Sequence, residues 1–302
     1  MIPFEKIQTA QREKYNALLL KANKGCEYSF TNIRIWGRQQ AAFIDGYLVL
    51  FSQFDRKAVY PFPVGEGDIR PVLDAIIHDA KMRGIPCCIT GLSEKNVATL
   101  EQLYPGKFRF HCDRNAFDYV YNIDDLADLK GRKFQKKRNH LNRFRSLYPN
   151  WRVETLTPVN IEAVRQMAAE WYETRLEHDP QADFQLEQRA LRRALDRYDR
   201  LGLEGMVLYD GDRVIAFSIA SQLSEDTMDV HFEKAREDVD GAYTAINQAF
   251  SQYLRDKHLQ IRYLDREEDM GIEGLRKAKL SYCPDHMVEK YWARLWEEAD
   301  EP

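Results

Sequence analysis

The stretch from Asp229 to Tyr282 gathers the side chains best suited to chemistry. It reads DVHFEKA, then GAYTAINQAFSQYLRDK, then IRYLDREEDMGIEGLRKAKLSY. A strand-like run leads into an amphipathic helix, and a second strand ends in Asp265, Arg266, Glu267, Glu268 and Asp269. Gly271 and Gly274 follow, then a helical stretch with Arg276, Lys277 and Lys279. Charge of both signs at the mouth of a strand is poor material for a core. Ligands in open α/β sheets bind at the carboxyl ends of strands, so this knot is a candidate site. An ion-pair network tying the strand to the next helix is the competing reading. His231 and Glu233 alternate with Val230 and Phe232, which puts them on one face of a strand. A histidine beside a glutamate can take a proton from an amine. The alternative is a half-buried strand with its polar side to solvent.

Asp265, Glu267 and Asp269 are spaced by two, as in a calcium loop, but the loop fails on ligand positions. Met270 stands where glycine is needed and Arg276 where the closing glutamate should be, so no metal is expected. The five cysteines form no CxxC and have no histidine at metal spacing, which fits reduced thiols in a cytosol.

A basic segment, KGRKFQKKRNHLNRFR, carries Lys130, Arg132, Lys133, Lys136, Lys137, Arg138, Arg143 and Arg145 with no acid among them. On a helix, Phe134, Leu141, Phe144 and Tyr148 form one apolar stripe while the cations point elsewhere. Like charges at i and i+4 repel by a few tenths of a kcal/mol per pair. A chain of net charge −4 that tolerates such a run points to an anionic partner, since phosphate contacts dominate nucleic-acid affinity. A solvated helix face is the plainer reading.

The elements that must position these groups recur along the chain. In the first half, QAAFID and YLVLFSQ form a hairpin around Asp45-Gly46, and AVYPFPV is a strand. The helix IRPVLDAIIHDAKMR follows, then the strand PCCIT, the helix EKNVATLEQLY, and FRFHCD with AFDYVYN to close the unit. In the second half GMVLYD and RVIAFSIA form a hairpin around Asp210-Gly211. MDVHFEK, AYTAINQAFSQYLRDK, IRYLD, IEGLRKAKL and HMVEKYWARL repeat the order, the last closing the second unit. Ile69 to Tyr243 and Ile85 to Ile261 are nearly the same separation, so two similar domains are expected. Three helices lie between the halves: the basic one, IEAVRQMAAEWYETRLEH and FQLEQRALRRALDRYDRLG.

The 302 residues are 44% hydrophobic and 30% charged, a globular composition with room for two domains. The N-terminal run MIPFEKIQTAQREKY lacks the apolar core of a signal peptide, and AAFIDGYLVLF is too short to span a membrane. A cytoplasmic protein is expected, with contact at the inner face of the membrane left open.

Two helices before a hairpin open a GNAT-type (acyl-CoA N-acyltransferase) domain. Such domains cradle a pyrophosphate with Arg/Gln-x-x-Gly-x-Gly/Ala ahead of a helix. Here AREDVDGAY stands in that place, with Val239 for the first glycine and Glu237, Asp238 and Asp240 to repel phosphate. In the first half Phe62 replaces the Arg/Gln. Neither half carries an intact loop, so no coenzyme A is expected.

The runs LKGRKFQKKRNHLNRF, HFEKA, GAYTAIN and DREEDMGIEGLRKAKLSY resemble the C-terminal catalytic domain of phosphatidylglycerol lysyltransferases. That domain shares its architecture with Fem-type aminoacyl-tRNA peptidyltransferases and has stand-alone relatives of unknown function. The resemblance implies an α+β fold of tandem GNAT-like domains, each a mixed, mostly antiparallel sheet flanked by helices. They are expected at 1–128 and 129–302, with a basic junction helix at 130–148. It implies transfer of an aminoacyl group from aminoacyl-tRNA to an amine or hydroxyl on a small molecule, peptide or lipid. Glu267, Asp269, Arg276 and Lys279 fall on the family's charged cluster. Lys133, Lys136, Lys137 and Arg138 fall on its basic helix, with Arg143 nearby as a further contact to nucleic acid. An aminoacyl ester is already activated, so the enzyme needs only to place it, stabilise an oxyanion and move a proton. Glu267 and Asp269 would then hold the ammonium, Arg276 or Lys279 would face the oxyanion or the departing ribose oxygen, and Glu233 or His231 would take the proton. A coenzyme-A-dependent N-acyltransferase and a non-catalytic module that binds RNA or anionic lipid remain as alternatives.

Overall fold

The computed structural model describes residues 1–22, 25–54 and 57–296. The chain divides into two compact units. The first comprises Met1–Asp118, Glu268–Ile272 and the segment from Met287 onward; the second comprises Tyr119–Glu267 and Glu273–His286. Where the sequence places a single boundary at 128, the chain crosses between units several times.

The first unit is built on an eight-stranded sheet. Its strands run in the order Glu5–Lys6, Arg38–Ile44, Tyr47–Phe54, Lys57–Pro61, Cys88–Leu92, Tyr291–Leu295 and Phe108–Cys112, with Val64–Gly65 paired to Tyr47–Phe54. Lys57–Pro61 and Cys88–Leu92 are parallel, as expected for strands joined through a helix. That helix, Arg70–Arg83, buries Val72, Leu73, Ile76 and Ala80 against Val49, Phe51, Tyr60 and Ile89.

The second unit is built on a seven-stranded sheet: His286–Val288, Asp118–Asn122, Tyr263–Asp265, Thr227–Ala235, Arg213–Gln222, Glu204–Asp210 and Trp151–Thr155. Ile161–His178 and Ala242–Lys257 match the helices read from the sequence. The basic segment forms a short 3-10 turn, Arg132–Phe134, and the helix Gln135–Leu147, with Phe134, Leu141 and Phe144 buried as the stripe requires.

Three local expectations are corrected. AFDYVYN and YWARL do not close the halves in which they lie. Asp118–Asn122 pairs with Tyr263–Asp265 in the second sheet, and Tyr291–Leu295 inserts between Cys88–Leu92 and Phe108–Cys112 in the first. Each sheet is thus completed by a strand from the other half of the sequence. The second hairpin turns at Gly211 and Asp212, because Asp210 still pairs with Arg213.

Candidate functional site

Thr227–Ala235 and Tyr263–Asp265 run parallel, in register from Thr227 opposite Tyr263 to Asp229 opposite Asp265. There they part. Beyond Asp265 the chain stays with the strand on its other side, since the Arg266 N–H donates to the Tyr119 carbonyl and the Tyr119 N–H to the Glu267 carbonyl. Thr227–Ala235 continues beside Arg213–Gln222. Arg266 and Glu267 therefore stand where the two strands part.

On Thr227–Ala235 a β-bulge interrupts the ladder. Ile219 pairs with Phe232 and Ala220 with Val230, which leaves His231 as the extra residue. The bulge aims the ring at a buried group of partners. Ser221 Oγ lies 2.8 Å from His231 Nε2, while Nδ1 lies 3.4 Å from Asp229 Oδ2 and 3.5 Å from Glu267 Oε1. The expected pairing of His231 with Glu233 does not form. Glu233 instead accepts from Arg266 at 2.7 Å and from Asn247 at 3.2 Å.

Glu267 is held by its backbone in the left-handed region, at φ +57°. Such strain in a non-glycine residue persists only where its surroundings enforce it. Its N–H donates to Asp265 Oδ1 at 2.7 Å. Its carbonyl accepts from Lys279 Nζ at 3.0 Å, and the same ammonium also reaches the Arg266 carbonyl. Lys279 therefore braces this loop from a buried position. The Glu267 side chain keeps 19% of its exposure, whereas those of His231 and Asp229 have none.

Lys137 is brought here as well. The sequence assigns it to a phosphate-binding face, but its Nζ sits 3.6 Å above the Tyr282 ring, half-buried. The Arg266 guanidinium lies 5.0 Å from the same ring. Burial, reinforced by Arg266 and opposed by Glu233, lowers the Lys137 pKa to about 8.

Asp269 lies in the first unit, ion-paired with Arg114 at 3.4 Å and accepting the Gly271 N–H at 2.8 Å. Arg276 is half-buried on the helix Glu273–Leu280. Along the basic segment, Lys133 pairs with Asp125 at 2.6 Å and Arg143 with Asp240 at 2.7 Å. Arg138 donates to the Leu129 and Gly131 carbonyls. Arg132 and Lys136 are exposed.

Ahead of Ala242–Lys257, Glu237 pairs with Arg175 at 2.7 Å and Asp238 with Arg213 at 2.8 Å. Gly241, at φ +82°, lies so close to the basic helix that a Cβ there would fall 2.8 Å from the His140 carbonyl oxygen and 2.9 Å from Phe144 Cβ.

The family model for the C-terminal domain of phosphatidylglycerol lysyltransferase matches residues 19–294. The chain belongs to that family. A conserved protein of unknown function from Bacteroides thetaiotaomicron is 40% identical, with a TM-score of 0.93, over 98% of this chain and all of that one. The L-PGS structure from Bacillus licheniformis superposes with a TM-score of 0.68 at 16% identity, covering 98% of this chain and 94% of its own. FemX superposes with a TM-score of 0.62 at 11% identity, covering 99% and 98%. An uncharacterised protein of Mycoplasmoides gallisepticum is 29% identical over 181 residues, 59% of this chain. The chain spans only about half of that relative's length, 56%.

In this member of the lysyltransferase C-terminal family both units are GNAT-like, and each has a point where parallel strands part. In the first unit Tyr28 fills it. The Tyr28 hydroxyl, almost fully buried, lies 3.2 Å from the Phe62 carbonyl oxygen and 3.0 Å from that of Gly91. The second unit lines the equivalent point with His231, Glu233, Arg266 and Glu267. Sequence reasoning missed Asp229 and Ser221, which come from a buried run and from the neighbouring strand. Each is one of several polar side chains on its strand, and both are buried.

Proposed function

We propose that the protein is an aminoacyltransferase, moving an aminoacyl group from the ester of an aminoacyl-tRNA to an amine or hydroxyl acceptor, a lipid among the candidates. The observation that carries this reading is the family match over residues 19–294. The residues where the parallel strands of the second unit part supply groups for the chemistry. The acceptor nitrogen or oxygen attacks the ester carbonyl, the bond to the ribose oxygen breaks, and the proton of the acceptor passes to that leaving oxygen. Glu267 holds the ammonium of the aminoacyl group. Arg266 faces the developing oxyanion. Glu233 is ion-paired and the His231 side chain is wholly covered, which leaves Lys137 as the proton carrier.

Coenzyme A does not fit the residues present. A pyrophosphate at the start of Ala242–Lys257 would meet Glu237, Asp238 and Asp240, and the basic helix packs against Gly241. The deciding experiment mixes the purified protein with labelled aminoacyl-tRNA and a cell extract that supplies acceptors. Label should leave the tRNA faster than by hydrolysis and appear in one product. Transfer from acetyl-CoA, with none from charged tRNA, would establish the N-acyltransferase reading instead.

Lys137 gives this reading a pH signature. The rate should rise as pH increases through about 8, where the amine loses its proton, and Lys137→Met should remove that rise. Stability follows the same group. Below pH 8 the ammonium is present in both folded and unfolded chains, and its burial counts against folding. From 8 to the usual lysine value near 10.5 only the unfolded chain is protonated, and the penalty is relieved. Lys137→Met should therefore gain stability over the parent at pH 7 and lose that advantage near pH 10 in denaturant titrations. A parent-like pH–rate profile in the variant would assign the proton to another group.

The exposed cations would dock the tRNA. Reversing Arg132 and Lys136 to glutamate should flatten the dependence of log K on log salt by about 0.7–0.9 for each phosphate that is no longer neutralised. Unchanged binding at every salt concentration would make this a solvated face.

A further inference from the structure

The bulge at His231 sets three ligating atoms in one place. His231 Nδ1 is 3.4 Å from Asp229 Oδ2 and 3.5 Å from Glu267 Oε1. All three ligand atoms lie within 4.8 Å of one another. A proton held between an imidazolium and a carboxylate draws them to about 2.7–2.9 Å, and both separations here are longer. They match the edges of a small coordination sphere. Bonds of about 2.0–2.2 Å at tetrahedral angles put neighbouring ligand atoms about 3.4 Å apart.

The histidine is oriented for such a role. Its Nε2 meets Ser221 Oγ at 2.8 Å, while Nδ1 makes no hydrogen bond among the described residues. With Nε2–H donating to the serine, Nδ1 turns a lone pair toward two carboxylates. A second partner that fixes the tautomer in this way is the usual support of a metal-binding histidine. The unbonded Nδ1, on a side chain with no exposure, then faces two carboxylate oxygens.

We propose that Asp229, His231 and Glu267 bind one divalent metal ion of the zinc class, with a fourth position open to water or to a substrate oxygen. One imidazole nitrogen and two carboxylate oxygens suit that ion. The expectation of no metal considered only the acidic knot and the cysteines along the chain, whereas these ligands come from one strand and the loop that follows another. A similar cluster in the first unit, Cys26, Glu27 and Asp118, is not such a site. The Lys290 ammonium already sits in it, 2.7 Å from Asp118, 3.0 Å from Glu27 and 3.3 Å from Cys26. The ion site rests on geometry and does not depend on the aminoacyl-transfer reading.

The test uses the full chain, stripped with a chelator and titrated with Zn²⁺ by calorimetry, with metal content measured after desalting. Co²⁺ serves as a spectroscopic substitute. One ion per chain, a raised melting temperature and a cobalt absorption band are expected. His231→Ala and Asp229→Asn should abolish all three. Ser221→Ala leaves the three ligands in place and should weaken Zn²⁺ binding by about 10–100-fold, which keeps the test open if the ligand variants fold poorly. No stoichiometric uptake, or uptake unchanged in all three variants, overturns the proposal. Because binding is read without substrate, an empty site leaves the transfer reading standing, and an inactive but metal-loaded protein leaves the ion site standing.

Discussion

Lys290→Met is expected to destabilise the protein by about 3–5 kcal/mol at pH 8, the range found when one partner of a buried ion pair is removed. The Lys290 side chain is 9% exposed and its ammonium faces three carboxylates: Asp118 at 2.7 Å, Glu27 at 3.0 Å and Glu268 at 3.7 Å. They hold its pKa well above the ordinary lysine value despite burial. Asp118 is wholly buried, and burial lifts its carboxyl to about 7 even with Lys290 drawing it down. Methionine fills the space of the stem and leaves the acids without their cation. The loss should depend on pH. A carboxyl raised in the folded state binds its proton there before it does in the unfolded chain, so stability falls as pH rises from the usual carboxylate range through about 7. Without the ammonium this slope steepens, and the variant should lie closer to the parent at pH 5 than at pH 8. Denaturant titrations at the two pH values measure this. A loss below about 1 kcal/mol at pH 8 would class the cluster with surface ion pairs.

Glu267→Gln should lower the rate of transfer by about 10²–10³ while leaving the fold intact, the size of effect seen when one preorganised polar group of a site is lost. Glutamine keeps the shape. It also keeps the backbone contacts that fix the loop, the N–H to Asp265 and the carbonyl bond from Lys279. What goes is the negative charge beside His231, and with it a counterion for an ammonium and a ligand for the proposed ion. Lys279→Met is the contrasting change. Its Nζ donates to the loop carbonyls of Arg266 and Glu267, so it should lower melting temperature and rate together. If Glu267→Gln transfers within about threefold of the parent, the strained residue serves only the loop.

Much of the second unit's architecture is legible in the sequence because it rests on local signals. Ile161–His178 and Ala242–Lys257 have the lengths that their periodicity implies. The stripe of Phe134, Leu141 and Phe144 fixed which face of the basic helix packs, since 3.6-residue spacing needs no knowledge of the partner. The knot after Asp265 is legible as a concentration of charge at a strand end, though Asp265, Asp269 and Lys279 are buried there.

Other features depend on where distant segments meet. Asp118–Asn122 and Tyr291–Leu295 both read as strands, yet nothing in their alternation states which sheet they join. That choice is made by pairing partners more than 100 residues away. The bulge at His231 is a register event between two strands, invisible in either one, and it decides that the ring meets Ser221, Asp229 and Glu267 while Glu233 goes to Arg266. Lys137 is one of eight cations in a solvated-looking run, and packing against Tyr282 alone separates it from its neighbours. The sequence by itself therefore determined the elements, the family and the presence of charge at one strand end, because periodicity and composition act over a few residues. Only the tertiary structure decided which charges share a site, which are bound to each other and which are shielded from water, because Coulomb energies and desolvation depend on distances and burial that the chain acquires only when folded.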